Sequence, residues 1–238
     1  MTPDIPKAKP VLFDAGGTLI HMDRRFFVQT LNAAGVRADM AAFMRADVIA
    51  KREISRVMRS TEPGTDSSRW RAYARMLMSE LKCEGDALEQ VRAALRARHE
   101  AGDLWTHIEE GTLETVARLQ ERGHPMGVVS NADGRVATFL EKAGLARYFD
   151  VIIDSGVYGV EKPDPRIFLH ACQALQAAPA DSVYIGDVYE VDALGARRAG
   201  LTPVITAPYA DPAWDCTVVQ SLTELPELLL NGLPPAGT

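Results

Sequence analysis

The chain has 238 residues and a net charge of −6, with apolar residues at 47 % and a pI near 5.4. That much apolar material builds a proper core in one large domain or two modest ones and excludes a disordered chain. The acidic balance argues against a general nucleic-acid binder, while a local cationic pocket can still receive an anionic substrate. No run approaches the ~18 apolar residues of a membrane span. Lys7 and Lys9 near the start are interrupted by prolines and followed by no apolar stretch of a secretion signal. Cys83, Cys172 and Cys216 are scattered, with no CxxC or Cys/His metal spacing. They read as reduced, small apolar fillers in a cytoplasmic protein.

In chain order, the first element is an apolar run, Val11-Leu12-Phe13, that ends in Asp14 and the turn Ala15-Gly16-Gly17-Thr18. It reads as a buried strand closed by a carboxylate. From Ile20 to about Ile108 only helical spacing appears, over 24–34, 39–59, 67–82 and 86–100, with Pro63-Gly64 as a break. Thereafter strands and helices alternate. A helix over 113–122 stops at Gly123, a strand over 126–130 follows, and a helix runs to Ala143. A strand over 151–154 precedes Asp164-Pro165, an N-cap with proline at the first helical position. Strand 183–187 ends in Asp187, and a helix over 190–199 stops at Gly200. Short strands at 203–206 and 217–219, a helix over 222–230 and a loose Pro/Gly tail from Asn231 complete the chain. The alternation implies an α/β fold, a Rossmann-like parallel sheet with helices on both faces, interrupted after its first strand by an inserted helical domain.

Three strands end in polar residues: Asp14, Ser130-Asn131 and Asp187. In a parallel sheet those ends share one edge, where such sheets bind ligands. Taken singly, each has a bland explanation. A strand-end aspartate usually caps a helix, a Ser-Asn pair usually makes a turn, and a lysine such as Lys162 is usually solvated. Together they form a coherent chemistry. Asp14 and Asp187 suit a hard cation such as Mg²⁺, with Asp192 holding the metal or its waters from one helical turn further on. Ser130, Asn131 and Lys162 suit phosphate oxygens. Asp14 is then placed as a nucleophile.

These pieces resemble the four motifs of the haloacid dehalogenase-like (HAD) hydrolases. The pieces are Phe13-Asp14-Ala15-Gly16-Gly17-Thr18-Leu19; Val129-Ser130-Asn131; Val160-Glu161-Lys162-Pro163-Asp164-Pro165; and Gly186-Asp187 with Asp192-Ala193-Leu194-Gly195-Ala196. The likeness runs from about residue 10 to 230. It implies a core domain over 1–20 and 109–238 and a helical cap over 21–108, similar to subgroup I of the family. It also implies a Mg²⁺-dependent phosphatase acting on a small phosphorylated metabolite, with no nucleic-acid or membrane partner. In that pattern Asp14 is nucleophile and metal ligand, the carbonyl of Gly16 and Asp187 also ligate Mg²⁺, and Ser130 and Lys162 hold the phosphoryl group.

The chain departs from the family at Gly16, where family phosphatases carry a second aspartate as general acid and base. Such catalysis contributes about 10²–10⁴-fold. A slow phosphatase, or one restricted to leaving groups that need no proton, is the expectation; His21 and Asp23, just downstream, read as surface residues near the cap hinge rather than as replacement proton donors. Two other readings stand beside it. A 2-haloacid dehalogenase needs no such acid but uses a cap arginine, for which Arg24, Arg25 and Arg45 are available. A weak or inactive scaffold would bind a ligand or partner instead. Phosphonate hydrolases need a cap lysine, and only Lys51 and Lys82 offer one. Arg69, Arg71 and Arg75 read as a solvated helix face rather than a substrate contact.

Overall fold

The structure, a computed structural model, describes residues 8–60 and 65–233. The Pro63-Gly64 break, Lys7 and the end of the tail lie outside the described residues. The chain divides into two compact units, residues 1–19 with 110–238, and residues 20–109.

The first unit begins with β1 (Val11–Phe13), whose three residues are completely buried. The second unit follows, with β2 (His21–Met22), α1 (Arg24–Ala33), α2 (Met40–Ser60), α3 (Asp66–Glu80), α4 (Gly85–Glu100) and β3 (Trp105–His107). The first unit resumes with α5 (Thr112–Glu121), β4 (Met126–Ser130), α6 (Val136–Lys142) and β5 (Val151–Asp154). It continues with α7 (Ser155–Tyr158), α8 (Pro165–Ala174), β6 (Val183–Gly186) and α9 (Leu194–Arg198), and ends with β7 (Thr202–Thr206), β8 (Thr217–Val219) and α10 (Leu225–Asn231).

The six strands of the first unit form one sheet in the order β5-β4-β1-β6-β7-β8, every pair parallel. Parallel strands need crossovers, and helices supply them on this chain except between β7 and β8, where an irregular loop does. From β1 the chain winds outward through β4 to β5, then returns to place β6 on the other side of β1 and winds away through β7 and β8. That reversal is the switch point at which open sheets form a ligand crevice beyond the strand ends. The register pairs Phe13 with Val128 and with Ile185, so β1, β4 and β6 end at nearly the same level.

Alternation divides the strand side chains between two faces. Leu12, Val129, Ile153 and Tyr184 share a buried cluster with Ile167, Phe168, Ala171 and Cys172 of α8. On β1, Phe13 meets the ring of Phe149 edge-on at 5.8 Å. Asp164 caps α8 as expected, accepting from the Arg166 amide at 2.9 Å, with proline at the first position.

The helical unit packs around Phe27, Leu31, Phe43, Ala46, Ala50, Leu77 and Val91. Asp23 caps α1 through the Phe26 amide at 2.9 Å and pairs with Arg98 at 3.0 Å. This unit corrects the purely helical expectation for 20–108, because β2 and β3 pair antiparallel at its two ends. Two- and three-residue strands are too short to show a period of two. A second difference lies at 190–199, where a π-helical turn over Tyr189–Ala193 precedes α9. Among the described residues no helix is long and apolar enough to cross a membrane.

Candidate active site

The site forms where β1, β4 and β6 end. The Asp14 amide donates to the Ile185 carbonyl at 2.8 Å, which continues the ladder one step past β1 and fixes where the carboxylate emerges. The chain then turns sharply, with the Leu19 amide returning to the Ala15 carbonyl at 2.9 Å. Gly17 makes the turn at φ +87°, and a Cβ there would lie 2.2 Å from Asp187 Oδ2. The loop after β1 and the acid after β6 thus touch through a glycine no side chain can replace. Gly186 has the same role one step away, since a Cβ on it would lie 2.3 Å from Asp192 Cγ.

Lys162 reaches this cluster from the loop between α7 and α8 and is almost completely buried. Its Nζ donates to Asp192 Oδ1 at 2.8 Å and to the Tyr184 hydroxyl at 2.9 Å. It also forms an ion pair with Asp14 Oδ1 at 2.8 Å. That contact sets a buried ammonium directly against a buried carboxylate oxygen. Asp192 is more committed. Its Oδ1 serves Lys162 and Tyr184, and its Oδ2 accepts from the amides of Asp187 at 3.1 Å and Val188 at 2.9 Å. The π-helical turn makes this possible by swinging Asp192 back toward its own loop, and such turns recur at functional sites.

Burial is the largest influence on Asp14, and with the charges of Asp192 and Asp187 it outweighs Lys162, pushing the carboxyl up to about 7. Burial works to lower Lys162, but Asp14 and Asp192 overcome it and hold the ammonium well above the ordinary lysine value. Lys162 is therefore a fixed positive charge and not a base. Burial, reinforced by Asp192 and Asp14, likewise pushes the Tyr184 phenol well up.

The donor set fits a divalent cation. Oxygens of Asp14, Asp187 and Asp192 all lie within 4.8 Å of one another. Three carboxylates facing one ammonium leave an excess of negative charge, and oxygen-only ligands suit Mg²⁺. Asp187 and Asp192 stand with Asp14 as the carboxylates of that group.

The structure brings together Asp14, Lys162, Asp187 and Asp192, which the sequence spreads over three separate segments. Ser130, the last residue of β4, is buried and ends its strand one step beyond the level of Asp14. Asn131 follows directly on the end of β4. Its amide nitrogen donates to the Lys162 carbonyl at 3.0 Å and its oxygen accepts from the Lys162 amide at 2.7 Å, so the side chain holds the lysine loop in place. Two contributors escaped sequence reasoning. Tyr184 looked like one more apolar strand residue. Asp154 accepts from Gly134, Gly156 and Val136, each within 3.1 Å, and fastens the loop after β4; a strand-end acid followed by Ser-Gly was the available signal.

The residues weighed as substitutes or halide ligands belong to the helical unit. Burial first, then Lys51 and Arg24, push His21 down to about 3. Arg24 pairs with Glu109 at 2.6 Å, and Lys51 lies 3.8 Å from Asp47. Arg25, Arg45, Arg71, Arg75 and Lys82 are exposed and Arg69 is half-buried. Cys83, Cys172 and Cys216 are free thiols.

An acid-and-lysine cluster thus stands at the switch point of a parallel α/β sheet. The family model for haloacid dehalogenase-like hydrolases matches residues 8–200, and the chain belongs to that family. Among curated relatives, the glyceraldehyde 3-phosphate phosphatase of Methanopyrus kandleri is 29 % identical over 199 residues, 82 % of each chain. The phosphoglycolate phosphatase of Thiobacillus denitrificans is 31 % identical over 205 residues, 84 % of this chain and 83 % of that one. Haloacid dehalogenase-like hydrolase domain-containing protein 3 of Bos taurus is 40 % identical over 100 residues, and that match spans 42 % of this chain and only 40 % of the bovine protein. Solved structures share the fold. The HAD-hydrolase YfnB of Bacillus subtilis superposes with a TM-score of 0.67 at 19 % identity, covering 93 % of this chain and 98 % of that one. The L-2-haloacid dehalogenase of Xanthobacter autotrophicus superposes with a TM-score of 0.60 at 19 % identity, covering 95 % and 99 %.

Proposed function

We propose that the chain is a Mg²⁺-dependent phosphatase that hydrolyses a small phosphorylated metabolite through an aspartyl-phosphate on Asp14. The observation that carries this reading is the buried contact between Asp14 and Lys162 at 2.8 Å, with Asp187 and Asp192 beside it. The Methanopyrus and Thiobacillus relatives support it, as both are phosphatases of small phosphorylated metabolites.

In this reading Lys162 and Ser130 hold the phosphoryl oxygens in line with Asp14. An Asp14 oxygen attacks phosphorus, and the bond from phosphorus to the leaving oxygen breaks with its electron pair going to that oxygen. Water then attacks the phosphorus of the aspartyl-phosphate, which releases inorganic phosphate and restores the carboxylate. Asp14, Asp187 and the Gly16 carbonyl would hold Mg²⁺, which neutralises charge on the phosphoryl oxygens and on Asp14 when bound. Asp192 and Asn131 position Lys162. Gly16 has no proton to give, so the leaving oxygen must be weakly basic or take its proton from elsewhere. Acyl phosphates, phosphoanhydrides and aryl phosphates meet that requirement. Residues 21–108 serve as the helical cap that selects among them.

Gly16 favours one other reading, 2-haloacid dehalogenation, in which Asp14 displaces halide and no acid is needed. A screen of alkyl phosphates, acyl phosphates and 2-haloacids with Mg²⁺ or EDTA separates the two. Phosphate release that EDTA abolishes is the expected result. Halide release undiminished by EDTA would replace this reading with the second.

A further inference from the structure

We infer that Tyr189 is a positioning residue that anchors the π-helical turn between Asp187 and Asp192 to the loop joining β7 and β8; the inference rests on the Mg²⁺ site of the reading above. Oxygens of Asp187 and Asp192 stand with one of Asp14 within 4.8 Å of one another. Like charges that close repel, and the single ammonium of Lys162 faces all three. A π-helical turn is itself a rare form, found mostly as a single turn. Something must hold this turn in place before a cation arrives. The bonds from the amides of Asp187 and Val188 to Asp192 Oδ2 stay inside the turn's own loop and do not fix it to the sheet.

Tyr189, the first residue of the turn, supplies that hold and is itself buried. Its ring stacks on Trp214, with centroids 5.5 Å apart and planes 8° from parallel. Such a pair contributes more than the area it buries. The Tyr189 hydroxyl donates to Asp215 Oδ1, next to Trp214 in the chain. Ala193, the last residue of the turn, is buried in the same cluster. One helical turn further, Arg197 of α9 grips the same Asp215. Its Nη1 donates to the two carboxylate oxygens at 2.6 and 2.7 Å and its Nη2 to the backbone carbonyl at 2.8 Å. Tyr189, Ala193 and Arg197 are spaced by four, and all three meet the segment Trp214-Asp215 or the cluster around it. Asp192, one residue before Ala193, instead sends its carboxylate to Lys162 and to the amides of its own loop. The Tyr189 hydroxyl is committed to Asp215, so Tyr189 acts on the acids through the backbone of the turn. Residues that orient metal ligands from outside typically change metal affinity by about 10–100-fold.

Tyr189→Leu tests this, since it keeps an apolar group in the cluster and removes both the stack and the bond to Asp215. In the metal-free protein, hydrogen exchange at the Asp187 and Val188 amides should quicken by about 10-fold. The Kd for Mg²⁺, read by calorimetry, should rise by about 10-fold. Leu140→Ala is the stability control. Leu140 is buried in α6, which packs against β5 at the opposite end of the sheet from β7 and β8. It should lower Tm, leave the Kd within about twofold and quicken the two amides far less. If Tyr189→Leu does not fold, Asp215→Ala takes its place. Asp215 is exposed, and its loss releases Tyr189 and the carboxylate grip of Arg197 together, so both readings should move the same way by about threefold. Wild-type exchange in the folded variant, faster exchange with an unchanged Kd, or equal changes in Leu140→Ala overturns the inference. If the wild-type protein binds no Mg²⁺, it is the metal site that fails. Exchange at the two amides then decides by itself whether Tyr189 anchors the turn.

Discussion

At the scale of single residues, the proposed chemistry turns on Gly16 and Asp14. Positive φ falls on Gly17 and not on Gly16, so a side chain at 16 carries no left-handed backbone penalty. Gly16→Asp is therefore expected to fold and to restore the missing acid. It should raise kcat on alkyl phosphates by up to about 10²–10⁴-fold and on p-nitrophenyl phosphate far less, because p-nitrophenolate needs no proton. Steady-state kinetics on the two substrates checks it, and a folded variant with no gain on alkyl phosphates contradicts the missing-acid account. Asp14 also predicts a pH dependence. Burial lifts its carboxyl from 3.8 to about 7, so the metal-free fold favours the protonated form. The associated stability is fully present below the unfolded value of 3.8 and is lost as pH rises through about 7. Metal-free wild type should lose Tm relative to Asp14→Asn as pH rises through that window. Mg²⁺ needs the ionised carboxylate, so the Tm gain from Mg²⁺ should grow over the same range. Scanning calorimetry with and without Mg²⁺ reads both effects, and a Mg²⁺ gain independent of pH would contradict them.

At the scale of elements, strand ends place the charged groups and the loops hold them there. Asp154 accepts three backbone amides, those of Gly134, Gly156 and Val136, while buried at the end of β5. Asp154→Ala leaves those amides without their acceptor and is expected to cost about 2–3 kcal/mol, a fall of roughly 5–10 °C in Tm. A thermal melt measures it, and a loss under about 2 °C would show that the loop after β4 does not depend on this residue. The strand ends themselves were legible from sequence, because an apolar run closed by an acid or Ser-Asn is a pattern of neighbouring residues. β2 and β3 were not legible, being too short to carry a period. The π-helical turn was hidden because Tyr189–Ala193 has the composition of an ordinary helix start, and its cause is the return of Asp192 to the amides of Asp187 and Val188. The contacts that Asn131 and Tyr184 make to Lys162 were hidden for a shared reason. Their partners, the Lys162 backbone and the Lys162 ammonium, lie 22 or more positions away, and no local pattern reports a contact of that range.

At the scale of the whole molecule, one parallel sheet explains how three distant segments make one site. Its order places β1 between β4 and β6, so Asp14 stands between the strand that ends in Ser130 and the strand that leads to Asp187. The family follows from the match over residues 8–200, and the proposed reading as a phosphatase rests on the acidic group at that edge and on the phosphatases among the relatives. Covalent catalysis by Asp14 is the central claim, and a phosphoryl mimic tests it most directly. ¹⁹F NMR of the protein with Mg²⁺ and beryllofluoride should give bound resonances of an adduct on Asp14, absent in Asp14→Asn and absent with EDTA. Bound resonances that persist in Asp14→Asn, or no adduct in a wild-type protein that binds Mg²⁺ and releases phosphate, would contradict the account.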